Sequence, residues 1–195
     1  MFDAKILFSI IAAIIGIFAF FPYIRDVVKK KTKPHLYTWL IWSITQTIAV
    51  VGIITGGGGW GVSSLLVGTL FVVAVFLMSI KYGTKDITRS DTVSLVLALL
   101  AIVVWLQLKQ PVIAVLLAAS IDLVGYIPSF RKSFKDPFSE TISFWLLCSL
   151  SNFFAISALG EYNLLTMTYQ VAITFANVLF VIFLMYIRHS TKKTK

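Results

Sequence analysis

Seven apolar runs, each close to the length that spans a bilayer, dominate the chain and leave little else for it to fold around. They lie near residues 6–24, 36–55, 60–80, 92–107, 111–129, 141–159 and 164–187, the fourth being the shortest. A hydrocarbon core about 30 Å thick needs roughly 17 to 25 apolar residues per helix. Composition agrees: 58% of the 195 residues are hydrophobic, 13% are charged and the mean hydropathy is +0.92, which leaves too little polar surface to cover a water-soluble globule. The expected fold class is an all-α membrane protein with seven transmembrane helices.

The chain also repeats itself. Ala12, Ala13, Ile15, Pro22, Arg25, Trp39, Leu40 and Ser43 recur as Ala118, Ala119, Ile121, Pro128, Arg131, Trp145, Leu146 and Ser149, each pair 106 positions apart. Chance supplies apolar matches easily, but a Pro, an Arg and a Trp at one ungapped offset point to duplication. Phe76, Leu77 and Met78 match Phe183, Leu184 and Met185 at an offset of 107, so one residue was gained between the copies. Gly16 of the first copy faces Asp122 of the second, which places a carboxylate inside an apolar run.

A net charge of +9 raises the question of nucleic acid, but the basic residues are dealt out between the apolar runs and form no single face, so no nucleic-acid partner is expected. Fifteen of the 17 Lys and Arg residues lie in alternate connections, at 25–33, 81–89, 131–135 and 188–195. This asymmetry predicts an N-terminus outside and a cytoplasmic C-terminus, with a retained first helix. A three-helix unit ends on the side opposite its start, so parallel copies need a linker helix between them. The expected plan is 3+1+3: a first three-helix bundle over 1–90, a linker helix over 91–109 and a second bundle over 110–195, related by an axis along the membrane normal.

Several residues are candidates for chemistry. Pro22 and Pro128 each lie near the cytoplasmic end of a run, where a proline frees the carbonyl four residues earlier, at Phe18 and Val124. They act as hinges or shape the helix exit. Trp39, Trp42, Ser43 and Gln46 share one helical face, repeated as Trp145, Cys148, Ser149 and Asn152; Gln170, Thr174 and Asn177 form a third polar stripe. Amides at mid-membrane face the interior, for helix-to-helix hydrogen bonds or for solute, whereas Trp39 and Trp42 also suit an interfacial anchoring role. Asp122 has no intramembrane cation to pair with, and Tyr126, four residues on, offers a hydroxyl partner; the acid is a candidate proton carrier or a neutral, structurally bonded carboxyl. The single cysteine, Cys148, reads as a buried packing residue.

Other chemistry finds no footing in the sequence. Gly56 to Gly59 follow no strand and precede no Lys-Ser/Thr pair, so they read as a flexible outside turn. His35 and His189 stand at the cytoplasmic border, the seventh run holds no lysine for retinal, and no nucleophile and base are paired, so no cofactor, metal or enzymatic activity is expected.

The three-one-three plan, the outside N-terminus and the paired prolines followed by basic loops resemble the PQ-loop transporter superfamily, which includes the SWEET sugar transporters and lysosomal amino-acid transporters. Asp122-Leu123-Val124-Gly125, then Pro128 and Arg131, is similar to the second PQ-loop copy of proton-coupled members, a resemblance that implies a coupling role for Asp122. Tyr23 and Ser129 replace the glutamine after each proline. The likeness to SWEET members nominates Trp145 and Asn177 as solute-cavity residues, with Leu70 where the family carries a third-helix asparagine. The implied function is transport of a small polar solute, such as a sugar or amino acid, by alternating access. Trp39, Gln46, Trp145, Asn152, Gln170 and Asn177 are the candidate solute-binding residues, Asp122 the coupling residue, and Pro22 and Pro128 the hinges. The expected partners are the solute and lipid, in the plasma (inner) membrane, with an oligomer compatible with the sequence. A non-transporting receptor or assembly protein on the same fold is the alternative.

Overall fold

The computed structural model describes residues 4–84, 87–108 and 110–193; Lys85, Lys109 and Lys195, counted in the charge pattern, lie outside them. The described residues form α1 (Ala4–Val28), α2 (Leu36–Thr55), a 3-10 turn (Gly59–Val62), α3 (Ser63–Tyr82), α4 (Arg89–Leu108), α5 (Pro111–Gly125), α6 (Ile127–Lys135), α7 (Ile142–Ser157) and α8 (Leu164–Lys193). Five stretches are long and apolar enough to cross a membrane, namely Ala4–Val28, Leu36–Thr55, Gly59–Tyr82, Pro111–Lys135 and Leu164–Thr191; α7 is apolar but shorter, at 16 residues.

Burial is arranged for lipid rather than for water. Phe18, Leu70, Phe153 and Phe175 stand exposed on the outer faces of their helices, while Thr45, Asp122, Gln170 and Asn177 are buried between helices. In water that apolar surface would drive aggregation; in hydrocarbon it costs nothing, and the buried polar groups bond one another across the bundle. The protein is a helical integral membrane protein.

Six helices close into a ring. Going round, α1 packs on α3, α3 on α2, α2 on α5, α5 on α8, α8 on α7, and α7 returns to α1. α4 stands outside the ring against α5 and α2. Small residues let the backbones approach at the two seams that join the first three spans to the last three. Ala12 is fully buried on the α1–α7 seam, where Ser151 Oγ donates to its carbonyl at 2.7 Å. Ala118, 106 residues later, is fully buried with Ile48, Ala49 and Ile53 of α2 on the α2–α5 seam.

The two prolines differ in local structure. α1 runs unbroken through Pro22. The fifth apolar run is instead interrupted at Tyr126, whose N–H bonds the Leu123 carbonyl at 3.2 Å, a tightened turn, with Pro128 in the first turn of α6. That interruption cannot come from the missing proline N–H alone, since Pro22 lacks the same donor; Gly125 at the break lowers helical preference there.

At one end the connections are tied together by charge and backbone bonds. Thr84 N–H donates to the Pro34 carbonyl at 2.9 Å, and Asp91 accepts from Thr88 N–H and hydroxyl at 2.7 Å each, with Arg131 at 3.4 Å and His35 at 3.6 Å. Burial pushes the Asp91 carboxyl up, but the Thr88 donors and the neighbouring His35 and Arg131 outweigh it and hold the group below the usual carboxylate range. At the other end, the glycine segment is folded rather than flexible. Gly57 and Gly59 take left-handed φ values of 78° and 54°, and Gly160 N–H from the α7–α8 connection donates to the Gly58 carbonyl at 3.0 Å.

This end leaves no room at Gly61, where an added Cβ would lie 2.8 Å from Leu159 Cα and 2.9 Å from its nitrogen, whereas at Gly68 it would meet nothing within 4 Å. Gly61→Ala is expected to lower stability in detergent by about 1–3 kcal/mol through overpacking. Gly68→Ala should leave it unchanged or raise it by up to about 1 kcal/mol through helix propensity. Thermal unfolding of the two purified variants checks the contrast.

Candidate functional site

The ring encloses a narrow cavity of about 70 Å³ at mid-height. Its walls come from both halves of the chain in pairs 106 positions apart: Gly16 and Asp122, Phe20 and Tyr126, Trp39 and Trp145, Trp42 and Cys148, Gln46 and Asn152. Each residue falls on the inward face because its helix carries polar or aromatic residues at three- and four-residue spacing there and large apolar residues on the lipid side. α3 contributes Gly68 and Val72, and α8 contributes Ile173 and Asn177.

Aromatic rings shut the cavity toward the basic end. Trp42 lies 5.3 Å from Trp39, 4.9 Å from Tyr126 and 5.7 Å from Trp145, centroid to centroid, and Phe144 lies 5.0 Å from Trp145. Most of these contacts are tilted or edge-on, the arrangement ring quadrupoles favour. Trp39, Trp42 and Trp145 are all buried, so the anchoring role at the lipid interface is set aside: the rings pack on one another inside the bundle. Gly125 makes this possible, since a Cβ there would stand 2.7 Å from Trp42 Nε1, which donates to the Asp122 carbonyl at 3.2 Å.

Toward the glycine-rich end, hydroxyls make the seal. Ser64 and Ser151 hydroxyls lie 2.9 Å apart across the α3–α7 contact, and a Cβ on Gly16 would come within 3.2 Å of Ser151 Oγ. A volume of about 70 Å³ is well below the roughly 150 Å³ that admits benzene and holds only a few waters. In this conformation the cavity is too small for a sugar or an amino acid.

Asp122 is 2% exposed, and its Oδ1 accepts from Thr45 Oγ1 at 2.5 Å and Tyr169 OH at 2.7 Å. No donor among the described residues reaches its other oxygen, Oδ2, and the residue lines the cavity. The expected partner Tyr126 is engaged elsewhere: its hydroxyl donates to Asn177 Oδ1 at 2.6 Å. A residue four positions on along the same helix lies one turn away, and Tyr126 stands at the helix break, from which its ring crosses the bundle to α8.

The structure brings Trp39, Gln46, Trp145, Asn152 and Asn177 together with Asp122. Gln46 Oε1 accepts from Thr69 at 3.3 Å, while the Asn152 side chain makes no hydrogen bond among the described residues. Gln170 is not brought there. It is fully buried outside the cavity wall, donating to the Gly61 carbonyl at 3.4 Å, with no partner for its Oε1 among the described residues. Two helical turns, about 11 Å, separate it from Asn177, which is enough to carry it past the cavity to the packed end. Leu70 is 66% exposed on the lipid side, so it does not occupy the cavity position opposite Asn177; Gly68 and Val72 line α3 there. Cys148 is a wall residue and not only packing.

Sequence reasoning missed Thr45, Tyr169, Ser64, Ser151 and Phe20. Thr45 and Ser151 had a signal, since they are hydroxyl residues 106 apart and each bonds across one of the two seams. Tyr169 had none.

Compared with known protein families, curated proteins and solved structures, the chain matches none.

Thr45 and Tyr169 share one acceptor, and their effects on stability are therefore coupled. Thr45→Val and Tyr169→Phe are each expected to cost about 0.6 to 1.7 kcal/mol, the range for hydrogen bonds within membrane bundles. In an Asp122→Asn background each cost should change by more than about 0.5 kcal/mol. Reversible unfolding of the single and double variants in mixed micelles measures this; strict additivity would mean that the hydroxyls act independently of the acid.

Proposed function

We propose that the protein transports a small polar solute by alternating access of its central cavity, with the polypeptide arranged as two parallel three-helix bundles and α4 as the linker between them. The observation that carries this reading is the cavity wall itself: five pairs of lining residues stand 106 positions apart, one member from each half. The ring of helix contacts also maps onto itself when α1, α2 and α3 are exchanged with α5, α7 and α8. Two equivalent bundles meeting at a midplane cavity is the architecture in which rocking of one against the other exposes a site to each side in turn.

The cavity's chemistry supports a neutral or zwitterionic polar solute of the sugar or amino-acid class. Tryptophan faces stack on apolar ring or chain surface, and the amides of Gln46, Asn152 and Asn177 supply hydrogen bonds. On this reading, opening of the aromatic side and of the serine side are separate events, because different contacts bound them. Pro128, beside the break at Tyr126, is the stronger hinge of the two prolines, because the helix is already interrupted there. The distribution of Lys and Arg supports an orientation with the aromatic, basic end in the cytoplasm. Membership of the PQ-loop and SWEET superfamily, which the chain resembles in its three-one-three plan and its paired prolines followed by basic loops, is part of the proposal.

Asp122 is the coupling residue on this reading. Its unpartnered Oδ2 takes a proton when the cavity opens to one side and releases it to the other, while Thr45 and Tyr169 hold the carboxyl in place through Oδ1.

The test begins with a panel of sugars, amino acids and vitamins screened by thermal shift, because a solute that binds the folded state raises its unfolding temperature. Flux of the stabilising solute is then measured in liposomes. Wild type is expected to accumulate it against its gradient when a pH difference is imposed; Asp122→Asn should exchange it across the membrane without accumulation. Accumulation that survives in Asp122→Asn would end the coupling role, and binding without any flux would end the transport reading.

A further inference from the structure

A second, larger cavity of about 380 Å³ lies at the basic end, walled by Lys30, Lys31 and Lys33 from the α1–α2 connection and by Arg131, Lys132 and Lys135 from α6. Its volume falls in the range of roughly 300–1,000 Å³ typical of small-molecule sites. Positive charge at a membrane face is ordinary when it is scattered. Here two segments about a hundred residues apart in sequence turn six cationic side chains toward one space.

Only part of that charge is neutralised by the protein. Arg131 pairs with Asp91 at 3.4 Å, and Lys132 pairs with Glu140 at 2.5 Å. Lys30, Lys31, Lys33 and Lys135 form no ion pair with their side chains among the described residues. Asp136 is the one acid in the wall, and its carboxylate accepts the Phe138 N–H at 3.1 Å.

The lysine-bearing connection is held in shape. Lys132 Nζ donates to the Lys33 carbonyl at 2.8 Å, joining the two basic segments directly. Lys31 and Thr32 N–H groups donate to the Asp26 carbonyl at 2.8 and 3.1 Å, and the Thr32 and Thr141 hydroxyls meet at 2.9 Å. Lys30 takes a φ of 58°, the left-handed conformation that commonly ends a helix, here just past the C-terminus of α1. Like charges are thus kept together on an ordered turn rather than left to spread apart.

We propose that this cavity binds a phosphate-bearing anion, supplied either as the headgroup of an acidic lipid or as a free polyphosphate. Lysine ammonium groups bind phosphate oxygens as point charges, and converging from two walls they surround such a group without requiring one fixed orientation. A site between helices at a membrane face is also where lipid headgroup phosphates lie. Pro128 lines the same cavity, so an occupant braces α6 against the α1–α2 connection. This proposal stands on the basic end alone and does not depend on transport through the central cavity.

The test is native mass spectrometry of the full chain in detergent, titrated separately with sodium pyrophosphate, with dioctanoyl phosphatidylglycerol, and with dioctanoyl phosphatidylcholine as the zwitterionic reference. The variants are Lys30→Gln/Lys31→Gln/Lys33→Gln and, with the same loss of charge at described lysines that do not line the cavity, Lys5→Gln/Lys29→Gln/Lys81→Gln. One-to-one binding of pyrophosphate or of the acidic lipid is expected, weakened at least about tenfold in the first variant and less than about twofold in the second. Pyrophosphate binding identifies a free anion as sufficient; binding of the acidic lipid alone identifies a headgroup whose chains lie in the bilayer. If the loop variant does not fold, Lys135→Gln on α6 carries the same comparison, with a smaller loss in the same direction. Equal weakening by both variants, equal binding of phosphatidylcholine, or no binding of either anionic probe overturns the proposal.

Discussion

A carboxyl between membrane helices has to find its partners in protein, because hydrocarbon offers none, and the way Asp122 finds them organises the bundle. Thr45 reaches it from α2 and Tyr169 from α8, while Trp42 of α2 donates to its own carbonyl. Three helices are thereby fixed at one point, on the seam where the first half of the ring meets the second. On the other seam the equivalent position holds a glycine, and the acid of that seam, Asp26, lies at the basic end, where it accepts from Thr141 Oγ1 at 3.0 Å. Gly16 leaves space for Ser151, whose hydroxyl bonds the Ala12 carbonyl and lies beside Ser64. At mid-bundle, positions 106 apart thus give one seam a titratable group and the other neutral hydroxyls.

The closed cavity follows from what surrounds these seams. Aromatic residues occupy the side toward the basic end, and their burial removes a large apolar area from contact with water while leaving edges and faces to interlock. Small residues and serines occupy the other side, where close backbone approach matters more than bulk. The two ends are therefore bounded by different contacts, one by packed aromatic rings and the other by a few hydrogen bonds between hydroxyls. Beyond the aromatic layer, Trp145 Nε1 donates to Glu140 at 3.3 Å, and Glu140 holds Lys132. The cavity wall is connected in this way to the charged connections at the basic end, including the segment whose lysines remain without carboxylate partners.

Much of this was legible in the sequence, and the rest was not for identifiable reasons. Apolar run length gave the helices, because a bilayer imposes a length that few other environments impose. The offset of 106 gave the pairs Trp39 with Trp145, Gln46 with Asn152 and Gly16 with Asp122, all of which line the one cavity. Depth along a helix was harder to read. Gln170 lies on the same stripe as Asn177 but two turns toward the glycine-rich end, where the bundle is packed solid. The partners of Asp122 were out of reach of local spacing, because they come from α2 and α8, and nothing in the pattern around Tyr169 marks it as facing an acid 47 residues away. The order of the Gly56–Gly59 segment was likewise set by a distant contact, with Gly160.

The central claim is that the two bundles move apart and together around the cavity, and the Ser64–Ser151 contact gives the most direct access to it. With Cys148 replaced by serine, Ser64→Cys and Ser151→Cys place two thiols where hydroxyls now lie 2.9 Å apart. Oxidation should then fasten α3 to α7 at the glycine-rich end. Flux of the solute found by the stability screen, measured in liposomes before oxidation, after it and after reduction, is predicted to stop when the disulfide forms and to return when it is reduced. Unchanged flux through protein shown to be fully cross-linked would contradict the account.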